Sequence, residues 1–324
     1  MELAVERVFN HELLQKAAKQ FAVKVEDKPL GDFENYLFRA TTQEGKPRVL
    51  RLTHSSHRSL EQIEAELSFL DYVGKNGANV AKPYVSVAGN LVEKLPATDG
   101  TNFFAALFDF AEGSHVKDTD PAVWNDHLFR AWGQTVGCLH RLTIDYPHTP
   151  YRMDWEEDEM ALIETLPMEG GIKEIAYEIV NDIQKLPLDK NAFGLIHSDV
   201  HQGNFFYKDG TITVFDFDDL TYHFFIHDLA MVLYYSVLRR DWTEEEKTAF
   251  ARHQLACLRE GYETEHVLED QWYETLPLFM RLRDITLYAT ILKKFEGKAM
   301  TERFEELANQ LCHRIKERRS LLEL

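Results

Sequence analysis

The chain has 324 residues, 44% of them hydrophobic and 12% aromatic, enough for two lobes or one large domain and too apolar for wholesale disorder. Its formal net charge of −18 argues against nucleic acid and anionic membranes as partners, which need a basic footprint, and suits a cationic small molecule. Three cysteines, Cys138, Cys257 and Cys312, lie far apart without metal-type spacing and read as reduced, packed thiols.

Residues 10 to 20 have helical spacing, with Leu13, Leu14, Ala17 and Ala18 on one side and Asn10 as the cap. From Phe21 the period changes to that of strands: Val23 and Val25 alternate with lysines, then Tyr36 to Ala40 and Arg48 to Leu52 flank a Gln43-Glu44-Gly45 turn. A helix from Leu60 to Tyr72 follows, with Ile63, Leu67 and Leu70 on its buried stripe and Glu66 at the edge of that stripe. Tyr84 to Val87 and Leu91 to Leu95 read as a hairpin over Gly89-Asn90, and Phe103 to Phe110 as a further strand. Ala111-Glu112-Gly113-Ser114 breaks the composition and divides the chain into an N-terminal part, 1–110, and a C-terminal part, 111–324.

Beyond Val123 the pattern is helical, and His140 closes the first helix. The acidic run 154–159 reads as a solvated turn or helix start, or as a lip for an amine-bearing substrate with Trp155 as its apolar wall. A helix from Ile172 to Leu186 leads to the most informative stretch. Phe193 to Ile196 is a short strand, His197 to Asn204 a polar loop, and Phe205 to Tyr207 with Thr211 to Phe215 a hairpin turned by Lys208-Asp209-Gly210. Closing that hairpin predicts Asn204 and Asp216 side by side, with Asp199 a few residues upstream. Such oxygen donors suit Mg²⁺, and His-x-Asp-x-x-x-x-Asn followed by Asp-Phe is the template of kinase-type phosphoryl transfer. Asp228 is placed to cap a buried helix, Leu229 to Leu238, which is too short to span a bilayer. The rest reads as helices: Glu244 to Glu260 ending at Gly261, Val267 to Lys294 broken by Pro277, and Thr301 to Leu322. Arg281, Arg283 and Asp284 are read either as reaching a substrate pocket or as surface groups. The first residues lack a basic stretch followed by an apolar run, so a cytoplasmic chain without a signal peptide is expected.

His197-Ser198-Asp199-Val200-His201-Gln202-Gly203-Asn204 with Phe215-Asp216-Phe217-Asp218-Asp219 resembles the signature of the aminoglycoside phosphotransferase family of protein-kinase-like small-molecule kinases, in its bacterial branch with Asp-Phe-Asp-Asp. The resemblance implies an α+β, two-lobed protein-kinase-like fold: a small antiparallel β N-lobe with one helix and a larger, mostly helical C-lobe. It implies ATP and Mg²⁺ as cofactors, Asp199 as the catalytic base, and Asn204 and Asp216 as metal ligands. Arg51, held by Glu66, would face the nucleotide phosphates, and the backbone around Phe108 to Phe110 would meet the adenine. The segment Leu30 to Asn35 would take the place of the phosphate-covering loop, although it has a single glycine. Arginine in place of the usual lysine is a planar fork and grips phosphate differently. An Asp at the position of Asp228 would brace the catalytic loop.

The implied reaction is ATP- and Mg-dependent transfer of the γ-phosphate to a hydroxyl of a small, cationic molecule: an aminoglycoside, an amino alcohol or a homoserine-like compound. A protein serine/threonine kinase of the same fold is the alternative, and a non-catalytic nucleotide binder a third reading. In a different class, His197, Asp199 and His201 as alternate residues could ligate Zn²⁺ or Mn²⁺ in a hydrolase. Nucleic acid and membranes are not expected as partners; monomer and homodimer are both open.

Overall fold

The computed structural model describes residues 3–32, 34–167 and 170–324. The chain forms two compact units: Met1–Gly113 with Tyr146–Arg152 and Thr213–Asp218, and Ser114–Asp145 with Met153–Ile212 and Asp219–Leu324.

The first unit begins with α1 (Leu3–Val8) and α2 (His11–Gln20). Asn10 caps α2 as expected, its side chain accepting from Leu13 N at 2.9 Å. Strands β1 (Lys24–Gly31), β2 (Asn35–Thr41) and β3 (Pro47–His54) form an antiparallel meander. Phe33, in the segment expected over the phosphates, lies outside the described residues. Helix α3 (Leu60–Lys75) starts on a capping box, Ser59 with Gln62. Strands β4 (Pro83–Tyr84), β5 (Glu93–Pro96) and β6 (Asn102–Asp109) complete the sheet in the order β1-β2-β3-β6-β4, with β5 also on β6.

The expected hairpin over Gly89-Asn90 is corrected here. The chain does turn there, Ser86 N donating to Asn90 O at 2.8 Å. The two strands, however, pair separately with successive stretches of β6 and not with each other. The apolar side of α2 packs with Phe38, Leu50, Leu52, Phe103 and Leu107. Strand alternation sends Leu50 and Leu52 into that core and turns Arg51 to the other face. Phe217 packs on Phe69 of α3, ring centroids 6.3 Å apart.

The second unit contains α4 (Asp126–Thr143), α5 (Trp155–Ile163), α6 (Ile172–Gln184), β7 (Phe193–Ile196), β8 (Phe205–Lys208), β9 (Thr211–Val214, whose last two residues belong to the first unit), β10 (Thr221–Phe224), α7 (Phe225–Val237), α8 (Glu244–Tyr262), α9 (Asp270–Tyr273), α10 (Leu276–Lys294) and α11 (Glu302–Lys316). The β8–β9 hairpin forms as predicted, with Asp209 and Gly210 both at positive φ (49° and 86°). Strand β10 pairs antiparallel with β7; its run Thr-Tyr-His-Phe was not read as a strand.

Several expected boundaries shift for tertiary reasons. Gly261 does not end α8 but lies inside it, where a Cβ would come 1.9 Å from Arg130 O. Gly133 is equally tight against Leu258 O, so α4 and α8 pack backbone to backbone. Pro277 opens α10 instead of breaking it, since a first-turn residue needs no N–H donor. Helix α7 begins three residues before Asp228; that carboxylate is no cap and is spent elsewhere. Trp155 is buried and stacks on His223 at 5.0 Å, so it walls no open lip. Among the described residues no helix is long and apolar enough to cross a membrane.

Candidate active site

In the first unit, Arg51 is buried on β3 and Glu66 is fully buried on α3, deeper than the stripe's edge. They meet in a two-pronged ion pair, Arg51 Nη1 to Glu66 Oε1 at 2.8 Å and Nη2 to Oε2 at 2.7 Å. Burial works against the Arg51 charge, but Glu66, Asp218 and Asp216 outweigh it and hold the guanidinium firmly protonated. Beneath it lies the Phe108 ring, 4.9 Å from the guanidinium carbon. Phe110 stands apart from this pair, its ring under Arg39 at 4.8 Å.

A second arginine shares Glu66. Arg152 Nη2 donates to Oε2 at 3.4 Å, while Nη1 donates to the Asp218 carbonyl at 2.8 Å. Asp218 itself is buried; its Oδ2 is 2.5 Å from His57 Nε2 and 3.6 Å from Arg58 Nε. Burial alone would raise the Asp218 carboxyl, but the His57 hydrogen bond and the Arg58 and Arg51 charges pull it well below the usual range. The third residue of Asp-Phe-Asp-Asp, Asp218, is therefore an anchor for the turn between β3 and α3. Sequence reading missed His57, Arg58 and Arg152 because only long-range folding brings them to it.

Three arginines and a histidine face Glu66, Asp218 and, through its charge, Asp216. The buried Nε atoms of Arg51 and Arg152 have no hydrogen-bond partner. Planar arginine donors of this kind match the oxygens of a phosphate as well as those of a carboxylate. Asp216, in the same unit, adopts left-handed backbone (φ 66°), a strained geometry for a non-glycine residue that accompanies functional sites.

In the second unit the loop 197–204 is held from below. Ser198, also left-handed (φ 71°), donates its N–H to Asp228 Oδ1 at 2.8 Å, while Asp228 Oδ2 pairs with His140 Nε2 at 3.0 Å and His140 Nδ1 with Tyr262 OH at 2.8 Å. Trp132 Nε1 donates to Val200 O at 3.1 Å. On this platform Asn204 Nδ2 donates to the Asp199 carbonyl at 2.8 Å and to its Oδ2 at 3.2 Å. Arg283 Nη2 donates to Asp199 Oδ1 at 3.0 Å, and His201 Nε2 lies 3.3 Å from Oδ2. Burial would raise the Asp199 carboxyl, but His201, Arg283 and His197 together hold it well below the carboxylate norm.

Arg283 is fixed in turn by Tyr235 OH, 2.8 Å from its Nε. It sits one turn after Phe279 on α10 and is partly buried. Glu159, partly exposed on α5, is pushed up to about 8 chiefly by burial, with Arg283 opposing and Asp158 and Asp219 reinforcing.

The structure thus joins Asp199 to Asn204 in one unit and Arg51 to Glu66 and Phe108 in the other. The hydrolase trio does not form. His197 Nδ1 accepts Asp199 N at 3.3 Å and His201 Nδ1 accepts Gly203 N at 2.8 Å, and the trio is not among the clustered metal-ligand groups of the described residues. Two imidazoles spent on their own loop leave no metal cage.

An antiparallel sheet backed by the buried Arg51–Glu66 pair, and a helical unit presenting a braced His-x-Asp loop, define a protein-kinase-like phosphotransferase. The profile of the phosphotransferase enzyme family matches residues 28–268, and this chain belongs to that family. It is a small-molecule kinase with an alcohol group as acceptor. Amicoumacin kinase of Bacillus subtilis (strain 168) is 30% identical over 310 residues, covering 94% of this chain and 91% of its own. An amicoumacin kinase solved with AMP-PNP, Ca²⁺ and Ami superposes with a TM-score of 0.92 at 30% identity, covering 100% and 98% of the two chains. A microcompartment-associated aminopropanol kinase shares the fold at a TM-score of 0.70 and 17% identity over 95% of both chains.

Proposed function

We propose that the chain transfers the γ-phosphate of ATP, with Mg²⁺, to a hydroxyl of a small cationic molecule of the amicoumacin or amino-alcohol kind. The observation that carries this reading is Asp199, ionised and oriented by Arg283, His201 and Asn204 within a loop anchored on Asp228. Asp199 would accept a hydrogen bond from the acceptor hydroxyl and take its proton as the oxygen attacks. The nucleotide supplies the phosphoryl group and the metal offsets its charge.

The donor set fits such a metal. Asn204 commits its amide nitrogen to Asp199 and keeps its oxygen as a donor of the kind that suits Mg²⁺. Arg51, oriented by Glu66, is the phosphate-facing cation. Positioning and charge carry the rate.

The cationic acceptor is supported by the chain's net charge of −18 and by Glu159 with Asp158 and Asp219, which share one electrostatic neighbourhood with Arg283. An ammonium group there would draw Glu159 into its ionised form. ADP release with Mg²⁺ across amicoumacin, amino alcohols, choline, aminoglycosides and protein substrates tests the reading. Turnover of an amine-bearing small molecule is expected, and Glu159→Gln should raise its KM about tenfold with kcat little changed. Turnover confined to protein substrates would overturn it.

A further inference from the structure

Asp126, His253 and Cys257 lie outside the site described above. Asp126 is in the first turn of α4; His253 and Cys257 are one turn apart on one face of α8. One ligand atom from each, a carboxylate oxygen, an imidazole nitrogen and the thiol sulfur, lies within 4.8 Å of the other two. His253 Nε2 is 2.8 Å from Asp126 Oδ1. Cys257 is buried, whereas His253 and Asp126 are largely exposed, at 58% and 46%. The thiol therefore forms the floor of the cluster and the other two groups its solvent-facing rim.

Ligands around one tetrahedral ion, with metal–ligand bonds of about 2.0–2.3 Å, lie roughly 3.3–3.8 Å apart, so donors already within 4.8 Å of one another reach a common ion by side-chain adjustment alone. The helices carrying them are set by backbone contact. A Cβ on Gly133 or Gly261 would strike the facing helix at 1.9 Å, so the three donors do not depend on mobile loops for their spacing.

The nearby charges permit a cation. Arg130 Nη1 is 3.8 Å from Asp126 Oδ2, but its Nε is taken by Glu260 at 2.6 Å, so the pair is close to neutral as seen from the cluster. The described residues hold another such group, Glu34, His57 and Asp218. There Arg58 stands 3.6 Å from Asp218 and Arg152 donates to the Asp218 carbonyl; those cations repel a metal.

We propose that Asp126, His253 and Cys257 form a site for a zinc-like divalent transition metal, with water completing a tetrahedron. Binding breaks the S–H bond of Cys257, whose proton passes to solvent, and the thiolate, imidazole and carboxylate each donate an electron pair to the metal; no oxidation or reduction is involved. The ion would staple the start of α4 to α8.

The test uses the full-length chain stripped of metal and titrated with Co²⁺. A cobalt–thiolate charge-transfer band saturating at one equivalent, suppressed by Zn²⁺, is expected. Cys257→Ser should abolish the band. His253→Ala, a change at an exposed position that leaves the core intact, should weaken cobalt binding at least about tenfold. Asp199→Asn should leave the titration unchanged, which separates this site from the phosphotransfer site. A wild-type chain without the band, or a band that survives in both Cys257→Ser and His253→Ala, would overturn the proposal.

Discussion

Asp199 is held by three neighbours with different duties. Arg283 and His201 keep it ionised, while Asn204 ties its carboxylate to its own carbonyl. Because its pKa is depressed, the base stays ionised well into acid, and the acid limb of the kcat/KM profile should lie low. Arg283→Gln removes one of the depressing charges, so that limb should move to higher pH with a loss of about tenfold or more in kcat, read from a pH–rate profile. Glu66 bears two arginines at zero exposure. Glu66→Gln would leave Arg51 and Arg152 short of an anion, and thermal melting should report a loss of about 3–5 kcal/mol, partly restored by ATP. Asp218 serves two partners at once: its charge reinforces Arg51 while its side chain fixes the β3–α3 turn.

At the scale of elements, α4 and α8 approach so closely that side chains are excluded at Gly133 and Gly261. Gly261→Ala should destabilise by about 3 kcal/mol, visible as a drop in melting temperature. Because Tyr262 of α8 and His140 of α4 are hydrogen-bonded beneath Asp228, the same variant should lower activity through a loosened loop. These contacts mark the boundary of what local sequence conveys. The Asn10 cap, the Asp209-Gly210 turn and the His197–Asn204 loop were legible, since each is written in neighbouring residues. Gly261 read as a helix stop, Asp228 as a cap and Pro277 as a break, because the local rules for these residues are overridden by partners up to 131 positions away, as Gly261 and Arg130 show. Likewise Asp199 with Asn204 could be paired from the motif, whereas Arg152 and Arg283 needed the fold to bring them in.

At the scale of the whole molecule, the second unit buries two histidines without charge. His223 and His227 lie with ring centroids 4.3 Å apart, and His223 stacks on Trp155. Burial holds His223 well below its usual 6.5 and brings His227 down to about 4, against the opposing pull of Asp228. A lowered folded-state pKa favours the neutral form, so stability is intact above pH 6.5 and is lost as pH falls through the window from 6.5 to 4. For His227 the loss is about 3 kcal/mol, and chemical denaturation across that window should show it. His223→Phe, which removes one titrating ring from the stack, should flatten the pH dependence.

The most direct measurement is ADP release by Asp199→Asn beside the unaltered chain, with nucleotide binding followed by thermal shift on the same samples. The expected result is turnover reduced by at least about a thousandfold, with ATP and Mg²⁺ still raising the melting temperature as in the parent chain. Turnover that persists within a few-fold of the parent would remove Asp199 as the base and contradict the mechanism built on it.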